Sequence, residues 1–444
     1  MQNRFAETKA RRFLWKKTLR FYAGQSRRHA LCAEPPQARM NAENRKDDHK
    51  MKKTIALLLA LVMLLTMAAC STKKENQTPA EKQETQTSTP EQTTQPEQPE
   101  QSEQPEEAAT RTVTDALGRE VEIPAEVTSI VPLGNTPRMI AYLGLADRVV
   151  GIEECEIAKS PIQAYAYSYA EEWSKLPNCG TNAMGETAYY PEQIMLAAPD
   201  VILSTDTADV ADNLQSQTGI PVVCVSQGTL FSEDYNQSLR ILADVCGVDE
   251  RAEQLIAFIS ACLDDLSERA KSVSDEAKPS VLGAGATFKG GHSIDGVYMN
   301  YPVFRILAAN DVANEIAGTQ GSSGVMVDRE QILAWDPEII FFDAGNMGLV
   351  NADYAENTAY FEQLQAVQNG NLYQWPNSTW HWSNVEIPLV TAYYVGTLLY
   401  PDAFADVNFE AKASEIFDMF LGEPDYLSVL EAAGVGYGKI TLGE

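Results

Sequence analysis

Histidine is scarce in this chain. Only four occur among 444 residues, and two of them, His292 and His381, fall where the composition can support a folded core. His381 sits in Trp380-His381-Trp382, the densest grouping of chemically capable side chains. Indoles offer flat apolar faces to a macrocycle or an aromatic chelator, and an imidazole can ligate a metal. Lys289-Gly290-Gly291-His292 is a second candidate. Its glycines let a ligand approach the backbone closely, and His292 there is either a ligand or a turn residue. Tyr165, Tyr167 and Tyr169 alternate, which puts all three on one side if the segment is extended; an ordinary half-buried surface is the other reading and the preferred one. Arg138 and Arg305 are candidates to pair with ligand carboxylates, although both lie in helical contexts where an exposed arginine is ordinary. A bare Zn²⁺ or Mn²⁺ site wants roughly three or four N/O ligands, commonly several histidines. Two histidines suit a metal that arrives already chelated better than a free ion. No direct metal ligand is therefore assigned, with His381 the one candidate.

These residues need elements to hold them, and the sequence reads as alternating strands and helices. Val127–Val131 is a strand, after which Thr136-Pro137 caps and opens a helix that Gly144 ends. Further strands are expected at Val149–Ile152, Val201–Leu203 and Ile220–Val225, with helices at Ala208–Gln217 and Tyr235–Val245. Short apolar strands between helices imply a parallel sheet covered on both faces. Asp249 to about Ser272 is one long helix, with Ala252, Leu255, Ile256, Ile259, Leu263 and Leu266 on one face. At 1.5 Å per residue its ~24 residues span about 36 Å, the height of two lobes. A second series follows, with strands at Ser280–Gly283, Ile339–Phe342 and Asn371–Gln374. A helix opening at Glu386 and another over Glu410–Leu421 complete it. Residues 111–444 exceed what one core usually fills, so two lobes are expected. The fold class is α/β, two Rossmann-like lobes joined by one long rigid helix. The divisions expected are 111–248, 249–273 and 274–444.

The chain also echoes itself. Glu192-Gln193-Ile194 leads to Pro199-Asp200-Val201-Ile202-Leu203, and Glu330-Gln331-Ile332 leads to Pro337-Glu338-Ile339-Ile340-Phe341. In both, proline stops a helix two turns after the glutamate, and an acid and an apolar strand follow. In open α/β lobes ligands bind outside the carboxyl ends of the strands. That selects the loops at Leu133–Thr136, Glu153–Cys155 and Thr205–Thr207 in the first half, and Thr287–Tyr298, Asp343–Gly348 and Asn377–Asn384 in the second. The ligand-contact candidates are Asn135, Thr136, Glu153, Thr205, Asp206, Lys289, His292, Trp380, His381 and Trp382.

The N-terminal part says where the protein works. Met51-Lys52-Lys53, an apolar run from Ile55 and Met67-Ala68-Ala69-Cys70 make a secretory signal with a lipobox, so Cys70 is read as lipidated. The run is too short to span a bilayer comfortably. Residues 1–50 are a basic extension, read as upstream sequence translated from a wrongly chosen start at Met1 rather than Met51. Residues 71–110 are rich in Glu, Gln, Thr, Pro and Ser and are read as a disordered tether. Forty such residues reach about 35 Å. Of the 34 Lys+Arg, 15 lie in the first 70 residues; the remainder carries 19 Lys+Arg against 57 Asp+Glu. So acidic a surface repels nucleic acid. Of the cysteines beyond Cys70, a Cys155–Cys179 bridge is open and buried free thiols are the simpler reading. No HExxH, GxSxG or Walker glycine loop is present. No enzyme is expected, although scattered carboxylates leave an acid/base pair open.

With these residues placed, the chain resembles the substrate-binding lipoproteins of ABC importers for iron-siderophore, heme and corrinoid. The resemblance spans roughly Arg111 to the C-terminus. It rests on Val113-Thr114-Asp115-Ala116-Leu117-Gly118-Arg119-Glu120-Val121-Glu122-Ile123-Pro124, on Ile130-Val131-Pro132-Leu133-Gly134 leading into Leu143–Gly151, and on the two Glu-to-Pro units. It implies two α/β lobes joined by a rigid helix, small lobe closure on a cargo, and no cofactor. It implies that Glu192 and Glu330 dock into arginine pockets of a membrane permease whose partner subunits hydrolyse ATP. The cargo implied is a metal chelate, an Fe(III)-siderophore first, heme or a corrinoid next. The protein is then a lipid-anchored extracytoplasmic monomer. A ligand-sensing receptor domain is the alternative reading, and an enzyme on the same fold another.

Overall fold

The first elements show how short polar turns set up the sheets. In a computed structural model, residues 109–444 are described, apart from 184–185, 317–323 and 381. The extension, the signal segment with Cys70, the tether up to residue 108, and His381 lie outside the described residues. Strands β1 (Thr110–Thr114) and β2 (Glu120–Pro124) pair as a hairpin with Thr110 opposite Pro124. The turn forms because Gly118 takes a left-handed φ of +76° and the buried Asp115 carboxylate accepts the Leu117 and Arg119 amides. Arg119 clasps Asp115 at 2.7 Å, and Asp115 also accepts the Cys224 amide, which fastens the hairpin to the first lobe.

That lobe continues β3 (Ile130–Pro132), α1 (Thr136–Tyr142), β4 (Ile152–Glu153), α2 (Ala164–Tyr167), α3 (Ala170–Trp173), β5 (Asn178–Ala183), β6 (Glu186–Tyr189), α4 (Pro191–Ala197), β7 (Val201–Ser204), α5 (Ala208–Thr218), β8 (Val222–Cys224) and α6 (Glu233–Cys246). Strands β3, β7 and β8 are parallel neighbours, and every residue in them is buried. Burial on both faces explains their unbroken apolar sequence. A second small sheet pairs β4 with β5 and β5 with β6. Val149, expected to begin a strand, makes only a bridge to Ile130, and the strand starts at Ile152.

Helix α7 (Asp249–Lys271) follows, 23 residues long, with Ala252, Leu255, Ile256, Ile259, Cys262, Leu266 and Ala270 buried along one stripe. The second lobe runs β9 (Ser280–Ala284), β10 (Gly296–Val297), α8 (Pro302–Ile306), β11 (Asn310–Asp311), β12 (Val325–Met326), α9 (Arg329–Trp335), β13 (Ile339–Asp343), α10 (Met347–Phe361), α11 (Gln365–Gln368), β14 (Leu372–Trp375), β15 (Thr379–Trp380), β16 (Trp382–Ser383), α12 (Glu386–Leu399), α13 (Phe409–Leu421), α14 (Tyr426–Ala432) and β17 (Gly438–Lys439). Its sheet has the order β12-β10-β9-β13-β14-β17, with β11 beside β9. The central strands β9, β13 and β14 are parallel. The fold is α/β, built from two such lobes.

The long helix is not the sole brace between them. Helix α13 returns to pack on α1 and α2 of the first lobe. The Phe420 ring meets Tyr142 edge-on at 5.1 Å and Phe258 of α7 at 6.2 Å. Arg251 on α7 donates to Tyr142 O at 3.1 Å and also to Met419 O. One continuous apolar core therefore runs from Ile130 through α7 to Phe417.

Three local expectations are corrected. Tyr165, Tyr167 and Tyr169 are not on an extended segment: Tyr165 and Tyr167 are in α2, and Tyr169 precedes α3. Tyr165 is buried, Tyr167 meets Tyr426 at 5.8 Å, and Tyr169 stacks on Trp173 at 5.4 Å. Thr136 does not cap α1. Asn135 is the residue before the helix, and Thr136 Oγ1 turns back to Leu133 O at 2.9 Å. Cys155 and Cys179 are not bridged: Cys155 Sγ donates to Glu156 Oε1 at 3.6 Å, and Cys179, like Cys224, Cys246 and Cys262, is a buried thiol.

The internal echo proves deeper than its sequence. Helices α4 and α9 are each seven residues, with Glu192 and Glu330 exposed in their first turns. Each ends on a left-handed residue, Ala198 or Asp336, whose amide bonds Ile194 O or Ile332 O. Each following acid then clamps the start of a neighbouring strand. Asp200 Oδ2 accepts the Thr128 and Ser129 amides at 2.8 and 2.9 Å, and Glu338 Oε2 accepts the Ser280 amide at 2.7 Å.

Candidate functional site

Helix α1 of the first lobe meets the 385–386 segment of the second through Tyr142, and the strand-end loops of each lobe carry their own polar network. At the end of β3, the Gly134 amide donates to Glu153 Oε2 at 2.6 Å and the Asn135 amide to Thr205 Oγ1 at 3.1 Å. Asn135 Nδ2 reaches Gln227 O at 2.9 Å. Gly134 must be glycine: its φ is +65° and an added Cβ would lie 2.4 Å from Thr205 Oγ1. Three strand-end loops are thus locked together around a backbone that only glycine can follow.

Beneath them lies a buried polar cluster. Arg138, 1 % exposed, donates to Asn135 Oδ1 and to Tyr165 Oη at 3.4 Å, with its guanidinium 4.7 Å from the centre of the Tyr165 ring. Tyr165 Oη donates to Glu156 at 2.7 Å, as does Gln163 Nε2 at 2.8 Å. Burial, reinforced by the Glu156 charge, pushes the Glu153 carboxyl up to about 8 against the pull of the Gly134 amide. Burial likewise raises Glu156 and Glu386, opposed by hydrogen bonds to each and by the Arg138 charge.

The second lobe presents a matching knot. Thr287 Oγ1 donates to Asp343 Oδ2 at 3.0 Å and accepts from Asn346 Nδ2 at 2.8 Å and Asn377 Nδ2 at 3.0 Å. That one hydroxyl joins the loops after β9, β13 and β14. Tyr298 Oη adds a bond to Asp343 at 3.0 Å, and burial lifts the Asp343 carboxyl to about 6 despite its donors. Tyr298 and Tyr301 lie 4.9 Å apart, and Tyr301 stacks on Trp375 at 5.3 Å.

The lobes touch directly across this junction. Tyr142 Oη donates to Glu386 Oε2 at 2.5 Å, and Asn384 Nδ2 to Ile162 O at 2.8 Å. Tyr426 Oη reaches Pro161 O at 2.7 Å.

The ligand-contact candidates separate in this setting. Thr136 and Glu153 are sealed and hold the loop rather than face solvent; Asn135 is 3 % exposed. Thr205 and Asp206 are half-buried on the loop after β7, and Lys289 is exposed with a left-handed φ of 52°. His292 is half-buried, bonds Phe288 O through Nε2 at 2.8 Å and packs on the Phe288 ring at 4.2 Å, so it closes its own loop. Trp380 and Trp382 pair across the β15–β16 hairpin, with His381 between them outside the described residues. Arg138 is no surface arginine, whereas Arg305 is exposed. Among the described residues no group of three or more His, Cys, Asp or Glu could hold a metal ion, and no helix is long and apolar enough to cross a membrane. Sequence reading selected the loops that hold Asn346 and Asn377 without singling out either residue, and missed Glu386 and Tyr142. Each is a polar residue inside an apolar stretch or beside a strand end, and that mismatch was the available signal.

Residues 135–379 match the family model described as periplasmic binding protein. The chain belongs to the periplasmic binding protein family. Members of this family are solute-binding transport proteins and not enzymes. A curated relative is 26 % identical over 269 residues, covering 59 % of this chain and 77 % of its own: the uncharacterized ABC transporter substrate-binding lipoprotein YvrC of Bacillus subtilis. Among solved structures, the periplasmic solute binding protein of Veillonella parvula superposes with a TM-score of 0.57 at 23 % identity, covering 71 % of this chain and 93 % of that one. CeuE of Helicobacter pylori in its Ni-His complex gives 0.52 at 19 % identity, with 73 % and 99 % covered. These likenesses establish the two-lobed fold.

Proposed function

We propose that this protein is the lipid-anchored substrate-binding component of an ABC importer, capturing a prechelated metal and presenting it to the permease. The observation that carries the reading is the twinned unit. Two lobes each display an exposed glutamate, Glu192 or Glu330, in the first turn of matching helices. A carboxylate is stabilised at a helix N-terminus and read bidentately by a guanidinium, so the pair forms a two-point plug for arginine pockets. The relative's description as an ABC transporter substrate-binding lipoprotein supports the permease, the ATPase and the anchor at Cys70.

The cargo would sit against the loops after β3, β7, β9, β13 and β14, with the 379–383 hairpin beside it. A ferric siderophore complex is the first choice, heme or a corrinoid next. The Tyr165 hydroxyl turns inward to Glu156, which removes one phenolate from heme ligation and favours this order. The contacts between the lobes besides α7 imply a small closing motion, and a single copy suffices for this reading.

Visible spectra and fluorescence titration of the purified protein against ferrioxamine B, hemin and cyanocobalamin test the cargo. Saturable quenching by the ferric complex is expected; a Soret shift with hemin alone reverses the order, and no binding to any of the three refutes the chelate class. Charge reversal at Glu192 or Glu330 should abolish uptake at unchanged cargo affinity. Normal uptake with both reversed would refute docking.

A further inference from the structure

Each helix that carries an exposed glutamate is tied at its start to a strand-end loop, and in both lobes the knot is an aspartate. In the first lobe, Tyr189, three residues before Glu192, donates its hydroxyl to Asp206 Oδ2. Ser204, the last residue of β7, donates to the same oxygen at 2.6 Å. In the second lobe, Arg329, adjacent to Glu330, donates to Asp353 Oδ1 and Oδ2 at 2.7 and 2.6 Å. Ser293, in the loop after β9, donates to Asp353 Oδ2 at 2.5 Å. Asn357 adds a bond to Asp353 Oδ1 at 2.7 Å, and Tyr360 Oη reaches Arg329 O at 3.1 Å. The Val327 amide bonds Asp295 O at 2.9 Å, so the same loop is also stitched to the strand leading into α9.

The two knots are not copies of one sequence motif. Asp206 lies after a strand, and Asp353 lies within helix α10. The helix-side partner is a tyrosine in one and an arginine in the other. Yet both join a serine at or after a strand end to a residue at, or two positions before, the start of a glutamate-bearing helix. The Asp353 side chain is only 10 % exposed, which keeps its bonds to Arg329 short of full solvent screening.

We propose that Asp206 and Asp353 are positioning residues that couple occupancy of the strand-end loops to the placement of Glu192 and Glu330. A cargo that pulls the 287–295 loop or the 205–207 loop draws on Ser293 or on Asp206 itself. The aspartate passes the displacement to Arg329 or Tyr189, and so to the first turn of α9 or α4. Coupling of this kind is reciprocal, so a change at either end must register at the other. Its consequence for transport rests on the docking reading of the two glutamates; the tie itself does not.

Amide hydrogen exchange on the full chain tests the tie without a permease. Ser293→Ala removes one loop-side bond to Asp353 and touches nothing in α9. It should speed exchange of the amides at 330–333 by about tenfold. Lys289→Ala, in the same loop but away from Asp353, should leave them unchanged. In the first lobe Tyr189→Phe should speed exchange at 205–208. Faster exchange confined to the mutated element in both lobes overturns the proposal. Asp353→Asn should lower uptake at unchanged affinity for whichever of ferrioxamine B, hemin or cyanocobalamin binds, and Asp353→Glu should restore part of it. Uptake that is normal in Asp353→Asn also overturns the proposed coupling. If Glu330→Lys transports normally while Ser293→Ala still loosens 330–333, docking has failed and the tie stands.

Discussion

Replacing Glu153 by glutamine should make the protein's stability less dependent on pH. Glu153 has no exposed surface, accepts one amide bond from Gly134, and leaves Oε1 without a hydrogen-bond partner among the described residues. Its carboxyl titrates near 8 in the fold against an ordinary value of 4.5, chiefly because burial disfavours the charged form. The folded state therefore holds a proton that the unfolded state has released. Between those two values, stability falls as pH rises, by ~1.36 kcal/mol per unit for one proton. Over about pH 5.5 to 8 the loss reaches about 3 kcal/mol, allowing for partial ionisation near the upper end. Glutamine can still accept from Gly134 and has no proton to lose. Urea unfolding of both proteins at the two pH values measures the difference, because the other buried carboxyls, among them Glu156, Glu386, Asp311 near 7 and Asp343 near 6, are common to both. Glu153→Gln should gain on the wild type by about 3 kcal/mol on going to the higher pH. Parallel stability curves would refute the assignment of a neutral carboxyl to this position.

Other outcomes follow from the same geometry. Tyr142→Phe deletes the bond to Glu386 across the lobes and leaves a buried carboxyl short of a donor, at a cost of about 1–3 kcal/mol in chemical unfolding. Gly151→Ala forces a Cβ to within 2.4 Å of Cys179 Sγ and 3.1 Å of the Ala197 Cβ, and should cost about 1–3 kcal/mol by the same assay. Burial raises Cys179 and Cys224 to about 12, so neither should react with a disulfide reagent at pH 8 until urea is added.

Much of the fold was legible because its signals are local. The stripe along residues 252–266 and the glycines at 144 and 247 lie within a turn or two of the elements they define, and α1, α6 and α7 appear at nearly the expected bounds. The Glu-to-Pro echo was legible for the same reason, and the strand clamps by Asp200 and Glu338 extend it. The site was harder. Arg138 reads as an ordinary helical arginine because the groups around it, Asn135, Tyr165, Glu156 and Glu386, range from 3 to 248 positions away. The β5–β6 hairpin went unseen because Asn178–Ala183 has no run of alternating apolar residues. The tyrosines at 165–169 misled because alternation and a single short helical turn look alike over five residues.

The return of α13 to the first lobe bears on how the chain can mature. Tyr142, Phe258 and Arg251 wait for Phe420 and Met419, which are made some 160 residues after the youngest of the three. The leading half emerges first but presents an unfinished greasy flank until the tail arrives. Fragments ending near Pro401 should therefore clump or be degraded rather than persist as a working half-protein, and recombination between relatives must carry head and tail together.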